Sequence, residues 1–370
     1  MNENNYLDAA VAFANYRQDL PAVTANELSA TPVAGGLINN SWKVSNSHTA
    51  PFLLQQINNT VFQSPTDVQQ NYINIWEYAK KHSHTLRLPE PLYYRNSQTL
   101  YEDKKGNYWR AFEFIEDSTS KIIAQNPEQA KTTAKTFASF TASFAQFDLA
   151  ALKVVIPEFH NLSHRYKQFE EALQQNKAGR LDIAREVVNA LKSRKRYKDF
   201  YDHITHSPEK FPVRVMHHDA KIANVLFSKK TNKVICTVDF DTVMPGYYFS
   251  DLGDMIRSMA CSEDENCTEP GRLEIRPEFY DAIVSGYTEV MRQHLTKEEK
   301  AHIHYAGILM IYMQALRFIT DYLNGDIYYR IQYPTQNFDR AVNQLTLLQK
   351  LEDFLEDHYQ FNAHDSLPEK

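Results

Sequence analysis

The feature that most constrains the fold is a short strand-rich island within a long run of helical patterns. Residues 213–240 contain VRVM, NVLF and VICTVDF, whose β-branched and aromatic residues are typical of strands. On both sides of the island, apolar residues recur at helical spacing. These helical patterns span 163–176, 181–204, 277–293, 297–324 and 335–359. A chain of this kind is expected to combine a small sheet with many helices, as an α+β fold does.

The first third of the chain has a different pattern, in which short strands alternate with turns. Strands are predicted at 41–44, 52–57, 92–94, 99–101 and 108–115. Between them, SPTD at 64–67 predicts a helix start with a capping Ser and a Pro in the first turn. NPEQ, from Asn126, predicts a second capped helix. The sequence therefore predicts a small sheet lobe at 1–116 and a larger, mostly helical lobe at 117–370.

Net charge, cysteine content and apolar runs indicate which kinds of binding partner the chain is expected to have. A formal net charge of -6 argues against nucleic acid as the main ligand. The three cysteines are an odd number without a C-x-x-C pair, which favours a reducing compartment. The first ten residues, MNENNYLDAA, lack the pattern of a signal peptide, and the longest apolar run, AGILMIYM, is far shorter than the ~20 residues of a membrane span. We therefore expect a cytoplasmic protein that binds small molecules rather than nucleic acid or a membrane.

The island contains a polar motif between two strands. The segment VMHHDAKIANVLF places Asp219 two residues after His217 and five residues before Asn224. This spacing matches the catalytic loop H-R-D-x-x-x-x-N of protein kinases, and Asp239 follows fifteen residues later, where a kinase has its metal-binding Asp. A chance match is the alternative for the loop alone, but the flanking strands and the V-D-F-D string favour a kinase site.

Phosphoryl transfer gives each of these residues a role. The carboxylate of Asp219 is suited to accept the proton of an attacking hydroxyl group. The side-chain oxygens of Asn224 and Asp239 are hard ligands that suit Mg²⁺. Lys221 lies inside the loop, where its charge is suited to a phosphate or to the developing negative charge. For His218 we expect a partly buried, hydrogen-bonding histidine rather than a catalytic one.

Other protein-kinase motifs are missing. The chain has no G-x-G-x-x-G, V-A-I-K or A-P-E, and it has D-F-D where kinases have D-F-G. At this point the sequence resembles the aminoglycoside phosphotransferase and choline kinase-like superfamily, which has a bilobal protein-kinase-like fold and phosphorylates small hydroxyl compounds. Six further segments between residues 33 and 330 resemble the N-acetylhexosamine 1-kinases. They are GGLINNSW, FLLQQINNTVF, YWRAFEFIED, FHNLSHRYKQFEEAL, VDFDTVMPG and LRFITDYLNGDIYY.

The resemblance implies a specific reaction and a set of site residues. The reaction is transfer of phosphate from ATP, with Mg²⁺, to the anomeric C1 hydroxyl of an N-acetylhexosamine. The small lobe, with its antiparallel sheet, would bind the nucleotide through the loop at 35–41 and through the hinge at 113–115. The residues implied for the nucleotide are Gly35, Gly36, Asn39, Ser41, Gln55, Glu113 and Ile115. The residues implied for the sugar are Asp241, Gly246, Arg317, Asp321 and Tyr322.

One departure from kinase sequences leaves alternatives open. Gln55 and Gln56 occupy the strand on which kinases carry a basic residue, so the alternatives are a low nucleotide affinity or a charge supplied by Lys43 or Lys221. The alternatives are a kinase for another small hydroxyl acceptor, such as an aminoglycoside, choline or an amino alcohol, and a catalytically impaired binding protein. Arg317 and Asp321 also have an alternative reading as a structural ion pair. The sequence does not determine the oligomeric state.

Overall fold

The computed structural model describes residues 6–15, 22–33, 38–83, 85–94 and 98–362. Its strands are β1 Ser29–Pro32, β2 Asn40–Ser45, β3 Phe52–Ile57, β4 Pro91–Leu92, β5 Leu100–Glu102, β6 Tyr108–Glu113, β7 Ser118–Thr119, β8 Arg214–Met216, β9 Val225–Ser228, β10 Val234–Thr237 and β11 Met244–Gly246. Its helices are α1 Leu7–Ala14, α2 Pro65–His82, α3 Pro127–Ser143, α4 Leu162–Gln175, α5 Leu181–Lys192, α6 Arg196–Thr205, α7 Phe249–Met259, α8 Pro277–Met291, α9 Lys297–Ala301, α10 Tyr305–Asn324 and α11 Gln336–Tyr359. The predicted α+β class is confirmed.

The described residues group into two compact units. The first unit contains those within 1–120, 146–157 and 225–244, and the second contains those within 121–145, 158–224 and 245–370. Each unit is assembled from separate stretches of the chain. The single domain boundary between residues 116 and 117 therefore stays a prediction.

The first unit is built on an antiparallel sheet. The strand order is β1-β2-β3-β6-β4, and β5 also pairs with β6. On one face, Leu54 shares a buried apolar cluster with Phe13 of α1. Because side chains alternate along a strand, Gln55 lies on the other face, where the register places it opposite Ser41 of β2 and Arg110 of β6. The predicted antiparallel-sheet lobe is confirmed, and its second face carries a row of three polar residues.

Two helices begin where the sequence predicts. α3 begins directly after Asn126, whose side-chain oxygen accepts a hydrogen bond from the N–H of Gln129 at 3.0 Å. This is the predicted cap, and it satisfies one of the free N–H groups at the helix start. α2 begins directly after Ser64, but the Ser64 hydroxyl lies 3.0 Å from the hydroxyl of Thr66 instead of capping the backbone.

The second unit is a set of packed helices with α10 at its centre. α10 packs against α4, α7 and α11, and α3 packs against α8. α7 approaches α10 closely at Gly253, where a Cβ atom would lie 2.3 Å from the carbonyl oxygen of Ala306. The apolar run AGILMIYM belongs to buried α10. Within the described ranges, no helix is both long enough and apolar enough to cross a bilayer.

Two predicted helices are interrupted. The pattern at 181–204 forms α5 and α6, and the pattern at 297–324 forms α9 and α10. Arg194 lies in the first break, where its Nε and Nη2 atoms donate to both carboxylate oxygens of Glu352 on α11, at 2.8 and 2.6 Å. The predicted continuity is wrong because apolar periodicity does not register a turn that a distant ion pair stabilises.

Candidate active site

The predicted catalytic loop folds back on itself in the second unit. Oδ2 of Asp219 accepts hydrogen bonds from Nζ of Lys221 and from Nδ2 of Asn224, both at 2.8 Å. Nδ2 of Asn224 also donates to the main-chain oxygen of Asp219 at 2.9 Å. Three predicted residues therefore meet at one carboxylate. No described residue donates to Oδ1, and the Asp219 side chain is 29% exposed, so this oxygen is left for another molecule.

Asp251 anchors this loop, and sequence reasoning missed it. It lies fully buried in the first turn of α7, and its two oxygens accept hydrogen bonds from the N–H groups of His217 at 3.0 Å and His218 at 2.7 Å. Burial raises the pKa of Asp251 to about 7, while the two hydrogen bonds act in the opposite direction. The available signal was an acidic residue in the largely apolar run FSDLGDMIRSM, because a buried carboxylate requires partners.

The two loop histidines point into the fold. The ring of His217 contacts the edges or faces of Phe137 and Phe140 in T-shaped geometry, with centroids 5.0 and 5.9 Å away. His218 is buried, and its Nδ1 lies 3.2 Å from Nδ1 of His160. Burial lowers the pKa of His160 well below its ordinary value, and the neighbouring His218 lowers it further. The expected hydrogen bonding of His218 is confirmed, and the residue is more deeply buried than expected.

Gly246, which the resemblance implies for the sugar site, lies against His218. A Cβ atom on Gly246 would lie 2.3 Å from Cε1 of that ring. Any larger residue would displace the histidine, so the close approach requires glycine. Gly246 therefore packs against the predicted catalytic loop, and its role in a sugar site stays a prediction.

The residues predicted to bind metal have suitable oxygen atoms. Nδ2 of Asn224 is committed to Asp219, which fixes the amide and leaves its Oδ1 as a hard donor for Mg²⁺. Asp239 belongs to the first unit and has a φ of 65°, a left-handed conformation that is uncommon outside glycine and occurs at functional sites. Each residue fits a magnesium ligand by its chemistry, and their joint role stays a prediction.

A hydrogen-bonded group beside this row, which we call the Arg110 network, is formed by Asn39, Ser41, Gln55, Arg110 and Asp241; Arg110 and Asp241 are buried, and the other three are half-buried. Nε of Arg110 donates to Oε1 of Gln55 at 3.2 Å, and Nε2 of Gln55 donates to the hydroxyl of Ser41 at 3.0 Å. Nη2 of Arg110 forms an ion pair with Oδ1 of Asp241. Nδ2 of Asn39 donates to Oδ2 of Asp241 at 2.5 Å. Four predicted site residues therefore surround an arginine that sequence reasoning did not select.

The lysines expected to compensate for Gln55 are engaged elsewhere. Nζ of Lys43 lies 3.8 Å from a carboxylate oxygen of Glu116 and 4.6 Å from the ring centre of Phe114. Lys221 pairs with Asp219. Gly35 and Gly36, predicted to cover the phosphates, lie outside the described residues.

At the predicted hinge, the Glu113 carboxylate is occupied by protein donors, and backbone groups remain for a ligand. The Glu113 side chain accepts from the N–H of Glu90 at 3.1 Å and from Nη2 of Arg87 at 3.2 Å. The main-chain oxygen of Ile115 accepts from the hydroxyl of Ser118. The N–H of Ile115 meets no acceptor among the described residues. An unpaired backbone donor at this position suits the predicted contact with adenine.

Asp321, implied for the sugar, is an anchor for the segment after α10. Its Oδ1 accepts hydrogen bonds from the N–H groups of Ile327 at 3.0 Å and Tyr328 at 2.8 Å. Its Oδ2 accepts from the N–H of Tyr329 and from Nδ2 of Asn337, both at 2.9 Å. The carboxylate is buried and its oxygens are occupied, so it holds Tyr328 and Tyr329 in place.

Arg317 and Tyr322, the other α10 residues implied for the sugar, differ in accessibility. Tyr322 is buried. Arg317 is half-buried, with its guanidinium carbon 5.5 Å from the ring centre of Tyr329 and 5.7 Å from that of Tyr328. In the part of the chain that the structure describes, Arg317 forms no ion pair with Asp321. Of these α10 residues, Arg317 therefore presents the charged group that a ligand can reach.

Comparison with known proteins identifies the family and the fold. Residues 29–295 match the model of the APH family, the phosphotransferase enzyme family. A microcompartment-associated aminopropanol kinase has 15% sequence identity and a TM-score of 0.60, with 98% of each chain covered. An amicoumacin kinase in complex with AMP-PNP, Ca²⁺ and Ami has 10% identity and a TM-score of 0.59, covering 94% of this chain and 93% of that one. Ethanolamine kinase from Plasmodium vivax has 15% identity and a TM-score of 0.55, covering 92% of this chain and 89% of that one.

The solved structures establish the fold, and the family match establishes kinship. The predicted kinase-like fold, with an antiparallel-sheet N-terminal lobe and a helical C-terminal region, is confirmed. The matched residues include the catalytic loop, Asp239 and the Arg110 network, and they span well over half of the chain. The chain therefore belongs to the APH phosphotransferase enzyme family.

Proposed function

We propose that this chain is an ATP- and Mg²⁺-dependent phosphotransferase that phosphorylates the anomeric C1 hydroxyl of an N-acetylhexosamine to give the sugar 1-phosphate. The observation that carries the proposal is the geometry of Asp219. One of its oxygens is fixed by Lys221 and Asn224, and the other has no described protein donor. A carboxylate held in this way is suited to orient a hydroxyl group and accept its proton.

The reaction assigns a role to each group of the loop. The C1 hydroxyl oxygen attacks the γ-phosphorus, and its proton moves to Oδ1 of Asp219. The bond between the γ-phosphorus and the β–γ bridging oxygen breaks, and ADP leaves with its electrons. Lys221 and Asn224 keep the Asp219 carboxylate oriented during this step. Asn224 and Asp239 would hold Mg²⁺, which would neutralise negative charge on the β- and γ-phosphates.

The proposed acceptor is supported by the state of the acidic residues in the second unit. A cationic acceptor requires free carboxylates, whereas those of Asp251 and Asp321 are occupied by backbone N–H groups. Asp254 accepts from Nη2 of Arg257 at 2.9 Å. Arg317 and the hydroxyl of Tyr328 remain as groups suited to neutral sugar hydroxyls or an acetamido oxygen. The segments VDFDTVMPG and LRFITDYLNGD, which resemble N-acetylhexosamine 1-kinases, support the same acceptor.

Two other functions predict different results. The solved structures of similar fold include kinases named for aminopropanol and ethanolamine, so an amino alcohol is the second acceptor class to test. A catalytically impaired binding protein is the third reading. The presence of Asp219, Asn224 and Asp239 supports an active enzyme over this reading.

An acceptor panel with Mg-ATP separates these functions. ADP release is measured with N-acetylglucosamine, N-acetylgalactosamine, ethanolamine, 1-amino-2-propanol, choline and an aminoglycoside. We expect stimulation by an N-acetylhexosamine, and we expect Asp219→Asn to lower the rate by about 10²- to 10⁴-fold. Asp182→Asn, at a side chain that is 86% exposed, is the matched control and should retain the full rate.

The same panel contains the outcomes that would reject the proposal. Stimulation by amines alone would reject the sugar and support an amino-alcohol or aminoglycoside kinase. A rise in melting temperature with Mg-ATP, without ADP release from any acceptor, would support a binding protein.

A further inference from the structure

We infer that Arg110 is the cation that binds the nucleotide phosphates in this chain, in place of the basic residue that kinases carry on the strand occupied by Gln55. The inference rests on the proposed function, because it takes a nucleoside triphosphate as the phosphate donor. It names a residue and a strand position that the kinase motifs do not assign.

The sheet register places Arg110 on the same face of the sheet as Gln55, so its side chain points to the same side as a basic residue at position 55 would. Gln55 on β3 and Arg110 on β6 are directly opposite in the antiparallel pair. Opposite residues lie on the same face, with Cβ atoms about 4.5–5.5 Å apart. Ser41 on β2 is opposite Gln55 on its other side. One polar row therefore crosses three strands, and the cation lies one strand away from its usual position in kinases.

The hydrogen bonds of Arg110 leave one edge of the guanidinium group available. Nε is bound to Gln55, and Nη2 is bound to Asp241. Nη1 has no acceptor among the described residues, and it is not completely enclosed by protein atoms. It is therefore the edge of the guanidinium group that the inference assigns to a phosphate oxygen, in a residue that is 3% exposed. A planar guanidinium fixed at two edges is preorganised to present its third edge to phosphate.

Gln55 connects Arg110 to Ser41 through its side-chain amide. Its amide oxygen accepts from Arg110, and its amide nitrogen donates to Ser41. A lysine at the half-buried position 55 would place a second cation next to the buried Arg110, which is unfavourable. Gln55 therefore indicates a cation that has moved, rather than a nucleotide site that has lost its charge.

The ion pair also links Arg110 to the segment predicted to cover the phosphates. Asp241 holds Arg110 through Oδ1 and Asn39 through Oδ2. Oδ1 of Asn39 accepts from the N–H of Asn58 at 3.0 Å, which fixes this end of the segment. Buried ion pairs contribute little to stability compared with apolar residues of similar size, so stability alone does not explain this one. Holding the guanidinium group in position to bind phosphate is the role that we infer for this ion pair.

Three variants test the inference by the affinity for Mg-AMP-PNP, measured by isothermal titration calorimetry on the full chain. Arg110→Gln should raise the Kd about 10- to 100-fold, the range expected from losing a charge-assisted hydrogen bond to phosphate. The double variant Gln55→Lys with Arg110→Gln returns a cation to the strand where kinases have it, and should recover a Kd within about fivefold of the original. Arg194→Gln breaks another ion pair, with Glu352, and should lower the melting temperature while leaving the Kd unchanged.

The outcomes separate this inference from the proposed function. A folded Arg110→Gln protein with an unchanged Kd overturns the inference and leaves the enzyme assignment intact. If the single variant melts below the assay temperature, the double variant decides, because a Kd that stays weakened 10-fold or more overturns the inference. Strong Mg-AMP-PNP binding by the original protein without turnover would instead reject the proposed function and leave the role of Arg110 standing.

Discussion

Replacing Asp251 with Asn tests whether a buried carboxylate positions the catalytic loop. Asp251 accepts one hydrogen bond from the N–H of His217 and another from that of His218. An amide has only one oxygen, so one of the two N–H groups would face an NH₂ donor and lose its partner. A buried donor without an acceptor costs about 1–3 kcal/mol. If that cost is expressed in the transition state, kcat falls about 5- to 150-fold.

Steady-state kinetics at pH 7.5 measure this effect. We expect kcat of Asp251→Asn to fall within that range, while KM for ATP changes little, because the loop N–H groups are not part of the proposed nucleotide site. Asp182→Asn is the control, since Asp182 has an exposed side chain and pairs with Arg185 instead of the loop. An unchanged kcat in Asp251→Asn, or an equal loss in both variants, would refute the positioning role.

The stability of the same variant should depend on pH in a defined direction. The pKa of Asp251 is about 7 in the folded protein and 3.8 ordinarily, so the folded state binds this proton more tightly. The resulting stabilisation is complete below pH 3.8 and is lost as pH rises through 7. The contribution therefore grows as pH falls from 7.5 to 5. Urea unfolding should show the original protein gaining stability relative to Asp251→Asn over this range, and a pH-independent difference would contradict the assignment.

Two further substitutions test the supports of the site. Gly246→Ala places a Cβ atom 2.3 Å from Cε1 of His218 and should cost about 1–3 kcal/mol in urea unfolding, whereas Gly271→Ala, with no heavy atom within 4 Å of its added Cβ, should cost far less. Equal costs would show that the approach to His218 is not constraining. Asp321→Asn should free the backbone after α10, so amide exchange at Ile327 and Tyr328 should accelerate, and unchanged exchange would show that Asp321 is not their anchor.

Local patterns were sufficient to predict the parts of the structure that depend on neighbouring residues. The cap at Asn126 and the helix start after Ser64 depend on residues within one turn. The catalytic loop is similar, since the bonds of Asp219 to Lys221 and Asn224 span at most five residues. Side-chain contacts between residues close together in the sequence were therefore predictable.

Residues that act through strand pairing were not predictable in the same way. Arg110 is 55 residues from Gln55 and 131 residues from Asp241 along the chain. Nothing in the strand pattern YWRAFEF fixes the register with β3, and a shift by one residue would move Arg110 to the other face. The sequence therefore showed the missing charge at Gln55 without showing its replacement.

Residues that act through helix packing were also missed or assigned another role. Asp251 lies on α7, and the loop N–H groups that it binds are 34 and 33 residues away along the chain. Helical spacing predicts Arg317 and Asp321 on one face, as sugar ligands or alternatively as an ion pair, but the Asp321 carboxylate accepts hydrogen bonds from the backbone N–H groups of the following segment. Helical periodicity predicts which residues share a face, and it does not predict which group satisfies a buried carboxylate.

The most direct test of the central claim is the phosphorus NMR spectrum of the product formed from Mg-ATP and N-acetylglucosamine or N-acetylgalactosamine. Transfer by the Asp219 loop to the C1 hydroxyl predicts a sugar phosphate whose phosphorus couples to the anomeric proton, and its absence from the Asp219→Asn reaction. Phosphorus coupled to the C6 protons, or ADP and inorganic phosphate without any sugar phosphate, would contradict the account.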